Sequence, residues 1–396
     1  MKWPIVSLNR VAAFINGDRG KNYPSKGDFI ENGIPFINAG NISSDHSVDI
    51  GGLSYISEDH FHTLNGGKIE KGDIVFCLRG SLGKFATIHN NMNGAIASSL
   101  VIIRPNKLVD LNYLKHYLSS FLCQREIKAY ENGAAQPNLS AKDLKSFKIP
   151  LPPFEEQKRI AAILDKADAI RQKRQQAIVL ADDFLRSVFL DMFGDPVTNP
   201  KGWPQVEISS LCSDIVDCVN RTAPSVDYQT PYKMVRTTNV KNREINLSDV
   251  KFADKEIYES WIRRLKPKRG DIIFTREAPA GEAGIINTDD LIFLGQRTMH
   301  FRPNLLEAKP SYLLYELTSS GVQQQIVRCS AGSTVTHLSV PECKKFIIRK
   351  PSIALQEKFE KHYSMSLNIK ANARKALQLS EQVFFSLSQK AFSGQL

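Results

Sequence analysis

Polar and apolar positions along this chain follow two rhythms in alternation. Short β-type runs come first: Ile34-Pro35-Phe36-Ile37, Ile74-Val75-Phe76 and Leu100-Val101-Ile102-Ile103, punctuated by Gly, Asn, Asp and Pro. A helical patch from Leu111 to Tyr130 follows. Between Phe154 and Phe193 the rhythm changes. Pro and Gly vanish, and apolar residues recur at Ile160, Leu164, Ala167, Ile178, Ala181, Leu185, Val188 and Met192. Steps of three and four, with one polar interruption, predict a long helix of coiled-coil type. Pro152-Pro153 and Glu155-Glu156 suit its start, and Gly194 and Pro196 stop it. About 40 residues rising about 1.5 Å each make a rod of about 60 Å.

Both rhythms then return. The runs Met234-Val235 and Ile272-Ile273-Phe274 and a helical patch from Pro310 to Cys329 precede a second stripe, Leu355 to Ala391, with Phe359, Ile369, Ala373, Val383 and Leu387. The repetition extends to sequence. Lys71-Gly72-Asp73-Ile74 reappears as Arg269-Gly270-Asp271-Ile272, Arg104-Pro105-Asn106 as Arg302-Pro303-Asn304, Leu139-Ser140 as Leu338-Ser339, and Gln157 as Gln356, at an offset of 198 or 199. Trp3-Pro4 matches Trp203-Pro204. A repeat of this length is a domain rather than a solenoid unit. The expected division is a globule over 1–150, a long helix over 151–195, a second globule over 196–350 and a second long helix over 351–396. The fold class is α+β. Antiparallel pairing of the rods would bury both stripes and set the globules at opposite ends. The alternative is that each rod packs only on its own globule.

Composition narrows the chemistry. A net charge of +11 and a pI near 9.2 suit a polyanion partner as well as they suit a basic enzyme. Cys77, Cys123, Cys212, Cys218, Cys329 and Cys343 form no Cys-x-x-Cys pair and have no clustered His, which argues against zinc and for reduced thiols. The start of the chain lacks a signal-peptide core, and no apolar run reaches 18 residues. A cytoplasmic protein with no membrane partner is expected. Phosphate loops, dinucleotide turns, His-Glu-x-x-His, Gly-x-Ser-x-Gly and the Pro-Pro-aromatic segment of amino-methyltransferases are missing. A binder is therefore expected rather than a catalyst, with no catalytic residue, metal or cofactor of its own.

Three paired segments are the binding candidates. After the strand Ile74-Val75-Phe76 comes a small-residue loop with Arg79, Ser81 and Lys84, and after Ile272-Ile273-Phe274 comes one with Arg276. Such loops let a guanidinium approach phosphate or a guanine edge, although a plain turn with a solvated arginine has the same sequence. The second pair is Asn38 and Asn41 against Arg236, Thr237 and Asn239; Asn and Arg read adenine and guanine, and Asn also caps turns. The third is Gln136 and Asn138 against Thr336 and His337, just before the shared Leu-Ser. Here a common frame carries unlike polar groups. Gly72-Asp73 and Gly270-Asp271 read as turn residues only. Arg171-Gln172-Lys173-Arg174 suits a DNA backbone and a solvated stretch equally.

At this point the chain resembles the specificity subunits of type I restriction–modification systems. The resemblance rests on Ile149-Pro150-Leu151-Pro152-Pro153-Phe154-Glu155-Glu156-Gln157-Lys158-Arg159-Ile160 leading into a long helix, and on Met192-Phe193-Gly194-Asp195-Pro196 before a fresh Trp-Pro start. Gly33-Ile34-Pro35-Phe36-Ile37 to Asn41-Ile42 looks like part of the family's target-recognition domains. The second copy departs from the pattern at Lys350-Pro351-Ser352. The resemblance implies two target-recognition domains joined by two antiparallel helices, each domain reading one half of a split, asymmetric site in double-stranded DNA. It also implies docking of two methylation subunits that carry S-adenosylmethionine, and of restriction subunits that use ATP and Mg2+. Two other readings make different predictions. A stand-alone nuclease or fused methyltransferase would turn over alone, and a protein-only helical scaffold would show no salt-dependent DNA affinity.

Overall fold

A two-stranded antiparallel ribbon ties the start of each globule to its end. Val6 faces Ile149 in the first, within Ile5–Ser7 and Lys148–Pro150. Val206 faces Ile348 in the second, within Gln205–Glu207 and Ile347–Arg349. The computed structural model describes residues 3–130, 138–219, 221–329 and 337–396. Each globule has a four-stranded antiparallel sheet in the same order: Ala12–Asn16, Leu100–Pro105, Ile74–Cys77 and Phe85–Thr87 in the first, and Cys212–Asp217, Thr298–Pro303, Ile272–Thr275 and Ala283–Ile285 in the second. A second sheet, of four strands in the first globule and three in the second, contains one parallel pair, Ile34–Ile37 with Ala95–Ile96 and Tyr232–Val235 with Leu291–Leu294. The central strands Ile74–Cys77 and Ile272–Thr275 are buried on both faces, which accounts for their unbroken apolar runs.

The predicted helical patches each split in two. Leu111–Leu118 is followed by Phe121–Lys128, and Pro310–Leu317 by Ser320–Cys329. A serine causes the break: Ser120 Oγ accepts from Cys123 N, and Ser319 Oγ from Val322 N, each at 3.4 Å. Ser120 and Ser319 therefore each start a helix.

Gly72 and Gly270 share a φ of +90°, a left-handed turn that glycine makes without penalty. The aspartates beside them do more than turn the chain. Asp73 is buried and takes a two-pronged contact from Arg104 at 2.8 and 2.9 Å; Asp271 takes the same from Arg302 at 2.9 and 2.7 Å. Reading these positions as turn residues alone missed a buried ion pair in each globule. In the second, His300 Nε2 also meets Asp271 at 2.7 Å.

Two long helices are present, Phe154–Phe193 and Ile353–Ser393. Neither is a unit of its own. Residues 1–175 with 375–396 make one compact unit, and 176–374 the other. In the first, Ile160 and Leu164 near the start of one helix share a core with Ala391 and Phe392 near the end of the other. In the second, Leu185, Phe189 and Phe193 share a core with Phe359 and Tyr363. The helices therefore run antiparallel within each unit, and both also pack on the globule there. Buried Gln157 fixes one junction, accepting from Asp110 N at 2.8 Å and donating to Leu108 O and Pro152 O at 3.0 and 2.9 Å. Gln356 does the same with Lys309 N, Glu307 O and Pro351 O at 2.8, 3.4 and 3.0 Å.

The apolar stripe is only partly where its rhythm placed it. Ile160, Leu164, Ala181 and Leu185 are buried, whereas Ile369 and Val383 are about half exposed. Phe189 and Phe193, outside the predicted stripe, are buried because the row Leu185-Phe189-Phe193 faces the second globule. Arg171 is held by Asp168 at 2.6 Å and lies over the Phe384 ring.

Candidate nucleic-acid interface

The strand Ile74–Cys77 leaves the core at Leu78, and its exit loop returns at Phe85. Backbone bonds Cys77 N to Lys84 O at 2.8 Å and Gly83 N to Cys77 O at 3.1 Å close the loop. Behind it, burial pushes the Cys77 thiol up to about 11, so it is a neutral packing group. Leu78 stays buried, and its carbonyl accepts from Leu139 N at 3.0 Å. Leu139 is itself buried, and Ser140 caps the helix Ala141–Ser146. This explains the repeated Leu-Ser: one residue anchors the segment and the next starts a helix. The anchor brings two predicted residues together. Arg79 and Asn138, both exposed, form an isolated bridge, and Arg79 Nε donates to Asn138 Oδ1 at 2.9 Å. They line a cleft of about 490 Å³ with Asn16, Arg19 and Asn65. Ser81 is half-buried in the loop turn, and Lys84 is exposed at its end.

The second globule builds the same frame. Thr275 N donates to Glu282 O at 2.8 Å, Gly281 N to Thr275 O at 2.9 Å and Leu338 N to Arg276 O at 3.2 Å. Ser339 caps the helix Val340–Lys344. Leu78 N donates to Ser99 O at 2.9 Å, and Arg276 N donates to Arg297 O at 2.8 Å. Superposing these bonds places Arg276 on Leu78 and Glu277 on Arg79, Glu282 on Lys84, His337 on Asn138 and Arg297 on Ser99. Arg276 is accordingly turned inward: it is 7% exposed, and Nη1 donates to Leu338 O at 3.1 Å. The expectation that Arg276 mirrors Arg79 is corrected, because its guanidinium serves the fold. The loop surface inverts in charge from Arg79 and Lys84 to Glu277 and Glu282. Glu277 in turn meets two side chains from outside its own loop. His337 Nδ1 contacts its Oε1, and Arg297 Nε lies 3.0 Å from its Oε2.

The Asn/Arg segments also divide. Asn41 and Asn239 are buried, and each organises a one-turn helix. Asn41 Oδ1 accepts from Asn38 N at 2.9 Å while Nδ2 donates to Gly52 O at 2.7 Å. Asn239 repeats this with Arg236 N at 2.9 Å and Asp249 O at 2.8 Å. Their amides are engaged in the fold and are withdrawn as base readers. Asn38 caps Gly40 N at 2.8 Å, Arg236 Nη2 donates to Asp249 O at 3.0 Å, and Thr237 is half-buried beside it. Gln136 and Thr336 lie outside the described residues.

Glu277, Arg297 and Arg19 escaped sequence reasoning. For Glu277 the signal was available: the offset of 198 that aligns Asp73 with Asp271 also aligns Arg79 with Glu277. Arg297 and Arg19 sit in no motif. Among the described residues, no group of three or more His, Cys, Asp or Glu is placed to hold a metal, and no helix is long and apolar enough to cross a membrane. What the two surfaces offer is hydrogen-bond donors and acceptors on fixed frames.

Comparison with known proteins points the same way. The family described as the type I restriction modification DNA specificity domain matches residues 1–180. Over its whole length the chain is 21% identical to the type I restriction enzyme EcoKI specificity subunit of Escherichia coli, covering 89% of that protein. Among solved structures, a chain from work on complex assembly and conformational transition of the type I R-M system matches with a TM-score of 0.57 at 16% identity, covering 100% of this chain and 98% of that one. The type I S subunit from M. genitalium matches with a TM-score of 0.56 at 15% identity, over 99% and 96% of the two chains. Residues 1–180 match the specificity-domain family, and the whole chain resembles specificity subunits in sequence and fold.

Proposed function

We propose that this chain, which resembles the type I specificity subunits, is the non-catalytic DNA-recognition subunit of a restriction–modification complex. Each globule reads one half of a bipartite, asymmetric site in double-stranded DNA. The observation that carries this reading is the pairing of equal frames with unequal side chains: Arg79 against Glu277, Ser99 against Arg297, and Asn138 against His337. A duplicated enzyme site would keep its reacting groups, whereas a duplicated reader of two different half-sites must change its donors and acceptors. The excess of 52 Lys and Arg over 41 Asp and Glu suits phosphate contacts that position the reader.

The long helices are the docking elements for two methylation subunits, which bind S-adenosylmethionine. Restriction subunits using ATP and Mg2+ join the same assembly. This chain supplies the address and the partners supply the chemistry. Methylome sequencing of cells with and without the gene, with the partner subunits present, tests this. A split methylated motif that disappears with the gene is the expected result. An unchanged methylome, or methyl transfer or cleavage by the isolated chain, overturns the proposal.

A further inference from the structure

We infer that Arg297 is the arginine with which the second globule reads its half-site, and that Glu277 positions it. This rests on the proposed DNA-reading role and assigns the residue that carries it. In the first globule Arg79 is exposed and is held through Nε by the oxygen of Asn138. The residue at the corresponding loop position of the second globule is an acid, and Arg276 is buried against Leu338 O. Arg297 restores the missing group from the turn that links Leu291–Leu294 of one sheet to Thr298–Pro303 of the other. Its side chain is 56% exposed, and its closest approach to Glu277 is again through Nε. Each globule thus presents one guanidinium fastened on its Nε side by a side-chain oxygen of the same cluster. Among the described residues, no hydrogen bond engages the terminal Nη pair of either arginine. That pair is the edge that can meet guanine O6 and N7 with two parallel bonds.

Two further features favour a base over a phosphate as the contact of Arg297. Glu277 sets a carboxylate beside the guanidinium, which repels an approaching phosphate and leaves the neutral base edge acceptable. Arg297 also has a φ of +67°, a left-handed backbone that glycine or asparagine would adopt more easily. An arginine in a sheet-to-sheet turn in that conformation is there for its side chain. Glu277 itself is mostly buried and lies between Arg297 and His337, so its direction is fixed from two sides. It is a positioning residue.

The test is methylome sequencing of cells expressing the full chain with its methylation subunits, as wild type, Arg297→Ala, Arg297→Lys, Glu277→Ala and Glu277→Gln. Arg297→Ala should accept other bases at one position of one half-site, with discrimination there reduced at least tenfold and the other half-site unchanged. Arg297→Lys should also relax that position, because lysine lacks the planar donor pair. Glu277→Ala should relax the same position, and Glu277→Gln, which keeps an oxygen for Nε, should recover part of the stringency. An unaltered motif in Arg297→Ala, or a loss shared by all sequences, overturns the inference. Thermal melting of the purified complexes separates either result from misfolding, and the Lys and Gln variants decide the matter if Arg297→Ala melts early. Absence of a split motif with the wild type would instead overturn the proposed function.

Discussion

Arg349 closes the first long helix by donating through Nη1 to the carbonyl oxygen of Phe193 at 2.9 Å. The same nitrogen donates to Gly194 O at 2.9 Å, and Nε donates to Glu316 Oε1 at 2.9 Å, all in a buried setting. Carbonyls at a helix end lack partners within the helix, so this guanidinium supplies them. Burial pushes the Glu316 carboxyl up, and Arg349 opposes it. Arg349→Met should destabilise the chain by about 3–5 kcal/mol, because Glu316 is left buried without its counter-ion. Adding Glu316→Leu should recover much of the loss. Urea unfolding of the three proteins checks this; a single variant as stable as wild type would show that the pair does not hold the helix end.

Gln157 predicts a smaller effect with a chemical signature. Gln157→Ala leaves a backbone N–H and two carbonyls without their partner and should cost about 2 kcal/mol. Gln157→Glu should be worse despite its matching shape, since a carboxylate cannot donate to Leu108 O and Pro152 O. Equal melting temperatures for the Glu variant and wild type would contradict this account. Gln356 should behave alike.

Asp271 sets an acid limit on the second globule. Burial alone would raise its pKa, but hydrogen bonds from His300 and Arg302 bring it down from the ordinary 3.8 to about 2. The unfolded chain therefore binds a proton more readily than the folded chain between these values. Stability from this group is complete above pH 4 and is lost as pH falls toward 2, about 2 kcal/mol in all. Asp271→Asn should be less stable at neutral pH and show a flatter acid dependence in that window. Unfolding measured from pH 5 to 2 compares the two slopes.

Arg79→Ala should relax one base position by about 1–3 kcal/mol in the half-site read by the first globule and leave the other unchanged. Uniform weakening on every sequence, with a shallower salt dependence, would make Arg79 a phosphate contact instead.

Much of this architecture was legible in the sequence because its signals are local or repeated. A three-and-four rhythm without Pro or Gly needs no tertiary information to read as a long helix, and an offset held from Gly72-Asp73 to Leu139-Ser140 reads as duplication. The site was less legible. Arg276 resembles Arg79 in chemistry, but register places it on Leu78, and only the bond between Leu338 N and Arg276 O fixes that register in space. Asn41 and Asn239 look like free amides until the carbonyls of Gly52 and Asp249 come round to meet them. Arg297 belongs to no motif, and its proximity to Glu277 arises from the adjacent pairing of their strands.

The bonds from Leu139 N to Leu78 O and from Leu338 N to Arg276 O are made by backbone alone. The scaffold is therefore indifferent to what projects from the next residue along. Mutation at 79, 99 and 138, or at 277, 297 and 337, can drift through new combinations while the globule folds as before. Such a protein can acquire a new preference by exchanging a handful of surface groups, and its two globules can diverge on independent schedules.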